Sequence, residues 1–387
     1  MKRRGRNRRY ITYPRSGDGC ATLGGLETPP HMRVVLWEGS RAALRQSAAQ
    51  RDLESWSSCM EHFEWGLLVV NYLFLAGLSA GAFAISSFAT YIGGPHFRRV
   101  ARIGALIAPW PVVGGIALLV FDLGRPLSFY HLFLIVQLTS PMSIGSWLLT
   151  GFVLLAFVYA ALWLPTPFDN LLRIPKRREF GHFSRWTILR PETIRRWRAI
   201  LAAIGFPFAL GVGIYTGILL GAVPSRPFWN TPMVAQLFLF SAMSTGVASV
   251  LLVLAFFGAR HEHAYEEERR LLVSTDIVMI VLEILMIVPF LLHHALSTRS
   301  SASSIGLILG GGYTLWFWVG VILMGILIPL AIEAYELLPV VLKQGAARRS
   351  VRLSVVSAVL VIAGGFILRF VFVYAGQTSH FLPVIPR

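Results

Sequence analysis

The sequence predicts an all-α integral membrane protein with eight transmembrane helices arranged as helical bundles. Hydrophobic residues make up 55% of the 387 residues and charged residues only 14%, against about 25% charged residues in an average soluble domain. The apolar residues stand in long continuous runs, which favours helices over the alternating pattern of membrane barrel strands. Soluble, collagen-like, disordered and disulfide-scaffold proteins are excluded by this composition.

Eight segments are long and apolar enough to cross the hydrocarbon core, which takes about 20 residues of helix. In chain order, the predicted spans are Trp65–Ile92, Ile103–Phe121, Ser143–Leu164, Ala199–Val223, Pro232–Phe257, Leu271–Leu292, Tyr313–Glu333 and Leu353–Tyr374. Gly77 and Gly81 form a Gly-x-x-x-Gly face in the first span, a pattern typical of closely packed membrane helices.

The distribution of basic residues predicts how the spans are oriented. The connections after spans 1, 3, 5 and 7 hold 19 Lys and Arg residues, whereas the other connections and the C-terminal tail hold 4. Since Lys and Arg mark the cytoplasmic side, the first set of connections is predicted to face the cytoplasm. The expected location is the cell inner (cytoplasmic) membrane, with the N- and C-terminal span ends facing the outside.

Three regions follow from these patterns. Residues 60–377 form the predicted eight-helix membrane domain, and residues 378–387 form a short periplasmic tail. The first 60 residues hold eleven basic residues and would lie outside, against the charge rule. We therefore expect residues 1–59 to be a disordered basic tail or a wrongly assigned extension, with a start near Met60.

Ionisable residues inside spans are expensive in hydrocarbon, so each one is a functional hypothesis. Asp276 and Glu283 stand seven residues apart on one face of span 6, Arg369 lies in span 8 and Glu333 ends span 7. A Glu283–Arg369 pair would neutralise both charges. Two interpretations stay open at this point: an ion pair that only locks the bundle, or part of a proton path from the cytoplasm.

The ligands that redox metals require are missing from the predicted spans. Cys20 and Cys59 are the only cysteines, too few for an iron–sulfur cluster or a four-cysteine zinc site. None of the ten histidines lies deep in a predicted span, which argues against bis-histidine haem. The sequence therefore predicts no haem, cluster or metal site in this chain, so a redox role would need a diffusible cofactor in the bilayer.

The connection between spans 2 and 3 combines several reactive side chains. It carries Asp122, Arg125, Tyr130 and His131, which supply an acid, a base, a phenol and an imidazole beside aromatic residues. Such groups can bind a flat apolar ring with two carbonyl oxygens and move protons to it. A rigid turn, held by Asp122 and Arg125 before Pro126, is the alternative interpretation.

Several motifs in order resemble the polysulfide reductase membrane subunit family, the NrfD/PsrC-like proteins. The resemblance covers about residues 60–377. The motifs are Tyr72-Leu-Phe-Leu-Ala-Gly-Leu-Ser-Ala-Gly81, Asp122-Leu-Gly-Arg-Pro126, Ser140-Pro-Met-Ser143, Gly145-Ser-Trp147, Tyr215-Thr-Gly217, Arg226-Pro-Phe-Trp-Asn-Thr-Pro232, Gly364-Gly-Phe-Ile-Leu-Arg369 and Tyr374-Ala-Gly-Gln377.

The resemblance implies a quinone-interacting membrane anchor of a respiratory oxidoreductase. Its cofactor would be menaquinone or ubiquinone, bound at the outer ends of the first four helices. The implied partners are a periplasm-facing, ferredoxin-like [4Fe–4S] subunit and a molybdopterin-type catalytic subunit, besides membrane lipids and without nucleic acid. The residues matching the implied quinone site are Tyr72, Asp122, Arg125, His131 and Tyr215. The predicted proton path contains Asp276, Glu283, Glu333 and Arg369.

Two other functions compete with this interpretation. A passive anchor would dock the partner subunits without a quinone site of its own. An ion or solute transporter would explain the membrane carboxylates, but spans 1–4 and 5–8 show no obvious internal repeat of the kind found in many transporters. Proton translocation driven by quinone chemistry would combine the redox and transport interpretations.

Overall fold

The computed structural model describes residues 65–92, 96–122, 140–164, 191–257, 263–341 and 351–381. Across these ranges the chain is helical and contains no strand. Eight of the helical segments are long and apolar enough to cross a membrane. The predicted all-α fold with eight spans is therefore confirmed, and the protein is a multi-pass membrane protein. Residues 1–59 lie outside the described residues, so their assignment stays a prediction.

Ten α-helices and one π-helical segment form the described part of the chain. They are α1 (Leu67–Ile92), α2 (Arg98–Ile107), α3 (Pro109–Asp122), α4 (Pro141–Trp163), α5 (Pro191–Gly221), α6 (Met233–Phe257), α7 (His263–Leu296), α8 (Arg299–Leu309), the π segment (Trp316–Leu327), α9 (Ile328–Val341) and α10 (Val351–Thr378). Helices α2 and α3 together make span 2, and the π segment with α9 makes span 7.

Several helices extend beyond the predicted span limits because charged turns continue the helix past the apolar run. Helix α7 begins at His263 rather than near Leu271, and α5 begins at Pro191 rather than near Ala199. In the first turns of α7, Arg269 pairs with Glu266 at i,i+3 spacing, 2.6 Å apart, an arrangement that stabilises a helix. Hydropathy alone marks only the apolar middle of such a helix.

Helices α1 and α6 lie at the centre of the bundle. Their apolar windows are 78% buried, compared with 33–50% in the other spans. The two helices touch backbone to backbone: a Cβ built at Gly81 would lie 2.1 Å from the Ala242 carbonyl oxygen, and one at Gly246 would lie 2.2 Å from the Gly81 carbonyl carbon. The Gly-x-x-x-Gly face of α1 thus packs against α6, as small residues allow in membranes.

A short helix lies in the connection between spans 6 and 7, which the sequence indicated only as an outer loop. Helix α8 follows Thr298, whose hydroxyl oxygen accepts a hydrogen bond from the Ser301 N–H at 3.3 Å. This is an ordinary N-cap. Ser304, Ile305 and Ile308 are buried, so α8 packs onto the bundle through one side.

The ends of α1 and α10 are joined at the membrane face where α1 begins. The Trp65 N–H donates to Gln377 Oε1 at 2.7 Å, and Gln377 Nε2 donates to the Trp65 carbonyl at 3.1 Å. Trp65 stacks on Trp229, with ring centroids 5.2 Å apart, and the Trp229 indole N–H donates to the Phe372 carbonyl at 2.7 Å. This arrangement, the indole clamp, holds the first helix, the last helix and the α5–α6 connection together.

The Gln377→Ala variant should be less stable than the wild-type protein by about 1–2 kcal/mol, because two partly buried hydrogen bonds are lost. Thermal unfolding in detergent would measure the change. Thr378→Ala is the matched control, since the Thr378 hydroxyl donates to the Tyr374 and Ala375 carbonyls of its own helix. Equal unfolding temperatures for the two variants would contradict the role assigned to the clamp.

Candidate functional site

Three of the predicted quinone-site residues lie at the same membrane face as the indole clamp. Asp122 ends α3 and stands beside the start of α1, since a Cβ built at Gly66 would lie 3.7 Å from its Oδ1. Tyr72 lies six residues after Gly66, about 9 Å deeper at 1.5 Å per residue. Tyr215 lies six residues before the end of α5. The predicted residues Asp122, Tyr72 and Tyr215 are therefore brought to one end of the first helices.

Tyr215 occupies space that a glycine leaves open on α4. A Cβ built at Gly145 would lie 1.8 Å from Tyr215 Cζ and 2.0 Å from its hydroxyl oxygen. Gly145 falls in the first turns of α4, which starts at Pro141 after an extended Ser140. Proline at the first position of a helix is favourable because its missing N–H has no helical partner there. The Ser140–Trp147 segment thus determines where α4 begins, and its Gly145 leaves the space that the Tyr215 ring occupies.

The phenols of Tyr72 and Tyr215 come from α1 and α5 and lie in the same part of the bundle. Tyr72 is 1% exposed and Tyr215 is 6% exposed, and the side chains are close enough to interact electrostatically. Among the described residues, neither hydroxyl forms a hydrogen bond. Two nearly buried donors, with an exposed carboxylate nearer the membrane face, are the groups that can orient a ring with carbonyl oxygens and exchange protons with it.

The remaining predicted residues of this site lie outside the described residues. Arg125 and His131 both fall in the range 123–139, so their contribution stays a prediction. Asn71 precedes Tyr72 and donates from Nδ2 to the Leu67 carbonyl of its own helix at 2.8 Å.

A second group of buried polar side chains lies in the interior of the bundle, between α6, α7, α9 and α10. Asp276 accepts a hydrogen bond from the Ser244 hydroxyl at 2.6 Å and also interacts with Glu333. Glu333 accepts a hydrogen bond from the Ser357 hydroxyl at 2.8 Å. Asp276 and Glu333 are fully buried, so the structure brings these two predicted proton-path residues into one carboxyl pair.

Next to this carboxyl pair lies a cluster of charged side chains that the sequence analysis did not predict. Arg269 donates to Glu336 and, at 3.1 Å, to the Ser354 hydroxyl, and it pairs with Glu266 at 2.6 Å. Arg269 and Glu336 are buried, whereas the Glu266 side chain is 21% exposed. Glu336 follows Glu333 at i+3 spacing and so shares its helix face. That spacing is the sequence signal that could have identified it.

On the other side of the carboxyl pair, Ser241 lies between Glu283 and Arg369. Arg369 Nη1 donates to the Ser241 hydroxyl at 3.1 Å and to the Gly365 carbonyl at 2.6 Å. Glu283 also interacts with the Ser241 side chain and with the Arg369 charge. A narrow crevice beside this group is lined by Ser241, Ser244, Thr245, Glu283, Val321, Gly325, Ile326, Val361, Gly364 and Gly365.

Arg369 connects this polar group with the first helix. Its Nη2 would lie 2.9 Å from a Cβ at Gly77, and its guanidinium carbon lies 5.7 Å from the Phe74 ring centroid. Gly77 is five residues, or about 7.5 Å of helix rise, from Tyr72. The predicted quinone-site and proton-path residues are therefore two separate groups, and both border α1.

Eight membrane-spanning helices with ionisable side chains buried between them place this chain among the multi-pass membrane proteins with a polar interior. Comparison with known proteins identifies the family within that class. The chain matches the family described as "Polysulphide reductase, NrfD" over residues 56–380, and it belongs to that family. The resemblance predicted from the sequence motifs is confirmed.

Named relatives agree with this assignment. A polysulfide reductase chain from Wolinella succinogenes is 34% identical, over 81% of this chain and 94% of its own length. Protein NrfD of Escherichia coli is 31% identical, over 82% of this chain and 97% of its own length. A selenate reductase subunit from Mesobacillus selenatarsenatis is 27% identical, over 71% of this chain and 67% of its own length.

Proposed function

We propose that this chain is the membrane subunit of a respiratory reductase complex and that it exchanges electrons with menaquinone or ubiquinone. The observation that carries the proposal is the convergence of Tyr72, Tyr215 and Asp122 at one end of the first helices. Two of the relatives are named as parts of polysulfide and selenate reductases, which supports a place in a complex of that kind.

The donor set of this site fits a quinone. A quinone ring is flat and apolar with two carbonyl oxygens, and the buried Tyr72 and Tyr215 hydroxyls can each donate to one oxygen. Asp122, exposed at the membrane face, accepts or returns a proton. His131 is a second proton acceptor in this proposal, and Arg125 orients Asp122. When bound, the quinone supplies a carrier of two electrons and two protons.

The partners in this proposal are a ferredoxin-like [4Fe–4S] subunit and a molybdopterin-type catalytic subunit. The excess of Lys and Arg in the odd-numbered connections supports an outward orientation of the face that holds Asp122. An iron–sulfur subunit docked there on the periplasmic side would be close to the phenols. Electrons would then cross only a short distance between this chain and its partner.

We further propose that the buried polar group conducts protons from the opposite face. The proposed order is Glu266, Arg269, Glu336, Glu333, Asp276, Glu283 and Arg369. Ser354 joins Arg269 to Glu336, and Ser241 lies between Glu283 and Arg369, while Ser357 and Ser244 donate to Glu333 and Asp276. Ionisable chains through a membrane protein are typical of proton relays. The group starts at a partly exposed carboxylate and ends against α1 at Gly77, five residues from Tyr72. This is the direction that protons would take from the cytoplasm toward the quinone site.

Quinone affinity tests the first proposal. Tyr72→Phe and Tyr215→Phe should each weaken quinone binding by up to about tenfold, since each removes one hydrogen bond of about 1 kcal/mol. Titration of the purified complex with a soluble quinone analogue would measure the affinity. Tyr374→Phe is the matched control, because Tyr374 lies at the same face on α10 and packs against Phe370.

The passive-anchor alternative makes the opposite prediction. A chain without its own site would retain no quinone after purification, and both tyrosine variants would behave like Tyr374→Phe. Quinone content in extracts of the complex, measured beside the titration, distinguishes the two functions.

A further inference from the structure

At the membrane face opposite the candidate quinone site, the ends of four spans are tied together by side-chain hydrogen bonds. The Ser86 hydroxyl donates to the Ala101 carbonyl of α2, and its oxygen lies 3.2 Å from the Tyr159 hydroxyl of α4, within hydrogen-bond distance. The Tyr91 hydroxyl donates to the Ala199 carbonyl of α5 at 2.7 Å. The end of α1 therefore fixes the positions of α2, α4 and α5 in one corner of the bundle, here called the basic corner.

Three arginines converge in the basic corner. Arg98 and Arg102 share one face of α2 at i,i+4 spacing, and Arg198 comes from α5. The Arg198 guanidinium donates to the Leu162 carbonyl at 2.6 and 3.1 Å and stacks on the Trp163 ring at 4.1 Å. Arg98 and Arg102 are the charged arginines that act electrostatically on Arg198, so like charges are held close together.

Two carboxylates of α7 lie at the start of α2. Glu268 of α7 accepts a hydrogen bond from the Arg99 backbone N–H at 3.0 Å, and Glu267 lies 3.9 Å from His96. The Arg99 N–H belongs to the first turn of α2 and has no partner within the helix, so Glu268 caps the start of α2.

The surface next to the basic corner has the composition of a membrane interface. Tyr91 is 57% exposed and Trp197 is 48% exposed, and such aromatic side chains are enriched at the level of lipid headgroups. Phe88, one turn into the membrane from Tyr91, and Leu164 are also exposed. A ligand in this corner would meet cations at one end and apolar surface at the other, as a lipid does and a free anion does not.

We propose that the basic corner binds the phosphate group of an anionic phospholipid. Arg98 and Arg198 hold the phosphate oxygens, since guanidinium groups donate bidentate hydrogen bonds to phosphate. Arg102 adds positive potential beside them, and Trp163 keeps Arg198 in place. Basic pockets between membrane helices are known to select anionic headgroups. The bound lipid fills the corner between α1, α2, α4 and α5, and its phosphate adds a negative charge between Arg98 and Arg198.

Native mass spectrometry of the full chain, titrated with phosphatidylglycerol or phosphatidylcholine, tests the proposal. We expect the wild-type protein to prefer phosphatidylglycerol. The Arg98→Gln/Arg198→Gln variant should bind it roughly 30-fold more weakly, at about fivefold per arginine near the membrane surface. Arg352→Gln is the matched control, since Arg352 is an exposed arginine at the start of α10, and its affinity should stay within about twofold of the wild-type value.

Three results would overturn the proposal. They are equal binding of the two lipids by the wild-type protein, unchanged phosphatidylglycerol affinity in the double variant, and displacement of the lipid by inorganic phosphate at equal concentration. If the double variant fails to fold, Arg98→Gln alone decides the question. Arg98 is exposed, so this variant should fold and still lose about fivefold in phosphatidylglycerol affinity.

Discussion

Replacing Asp122 with asparagine should lower quinone-dependent turnover by about 100-fold or more, the usual contribution of a positioned general acid or base. Asparagine has nearly the same shape as aspartate but cannot take up a proton at neutral pH. Asp122 is exposed at the end of α3, beside Gly66, so the substitution should leave the helix packing intact. Turnover with a quinol donor and an artificial acceptor would measure the effect.

Asp122→Glu is the matched variant for this test because it keeps the carboxylate on a longer side chain. It should recover a substantial part of the turnover that Asp122→Asn loses. Both variants should assemble with the partner subunits as the wild-type chain does, which gel filtration of the complex would show. Wild-type turnover in Asp122→Asn would remove Asp122 from the proposed mechanism.

Replacing Arg369 with methionine should destabilise the protein by about 3–5 kcal/mol, the range observed when one partner of a buried charged pair is removed. Glu283 would keep a buried carboxyl group without the cation that acts on it. The Ser241 hydroxyl and the Gly365 carbonyl would each lose a hydrogen-bond donor. We expect little folded protein in the membrane fraction, and fluorescence-detected gel filtration would measure the amount.

The double variant Glu283→Gln/Arg369→Met separates the two interpretations of this pair. Removing both charges should restore much of the lost stability, since a neutral replacement of a buried pair is often tolerated. In membrane vesicles with intact quinone turnover, the double variant should no longer take up protons from the α7-start side. Wild-type proton uptake in that variant would show that Glu283 and Arg369 only lock the bundle.

The helices of this protein could be predicted because the hydrocarbon core of the membrane requires each segment to satisfy its own backbone hydrogen bonds. Every backbone polar group in the membrane must be satisfied within its own helix, so a long apolar run is sufficient to indicate a span. The predicted limits were too short where polar turns continue the helix, as at Glu266 and Arg269 in α7. Those turns depend on side-chain pairing outside the hydrocarbon, which hydropathy does not measure.

The candidate quinone site was partly predictable. Tyr72, Asp122 and Tyr215 came from motifs, and the structure brings them to one end of the bundle. The contact between Tyr215 and Gly145 joins two residues that are 70 positions apart in the sequence, and no local pattern indicates such a pairing. Arg125 and His131 remain predictions.

The sequence by itself determined the membrane location, the number of spans, the family and the identity of four ionisable residues that lie buried in the spans. These properties depend on the amino-acid composition and on the order of residues within short segments of the chain. Only the tertiary structure decided which of those charges meet. It showed that Arg269 and Glu336 form a buried ion pair, that Ser241 lies between Glu283 and Arg369, and that three arginines share a corner. A charge on one helix is stabilised by groups on its neighbours, and the choice of neighbours follows from how all the helices pack together.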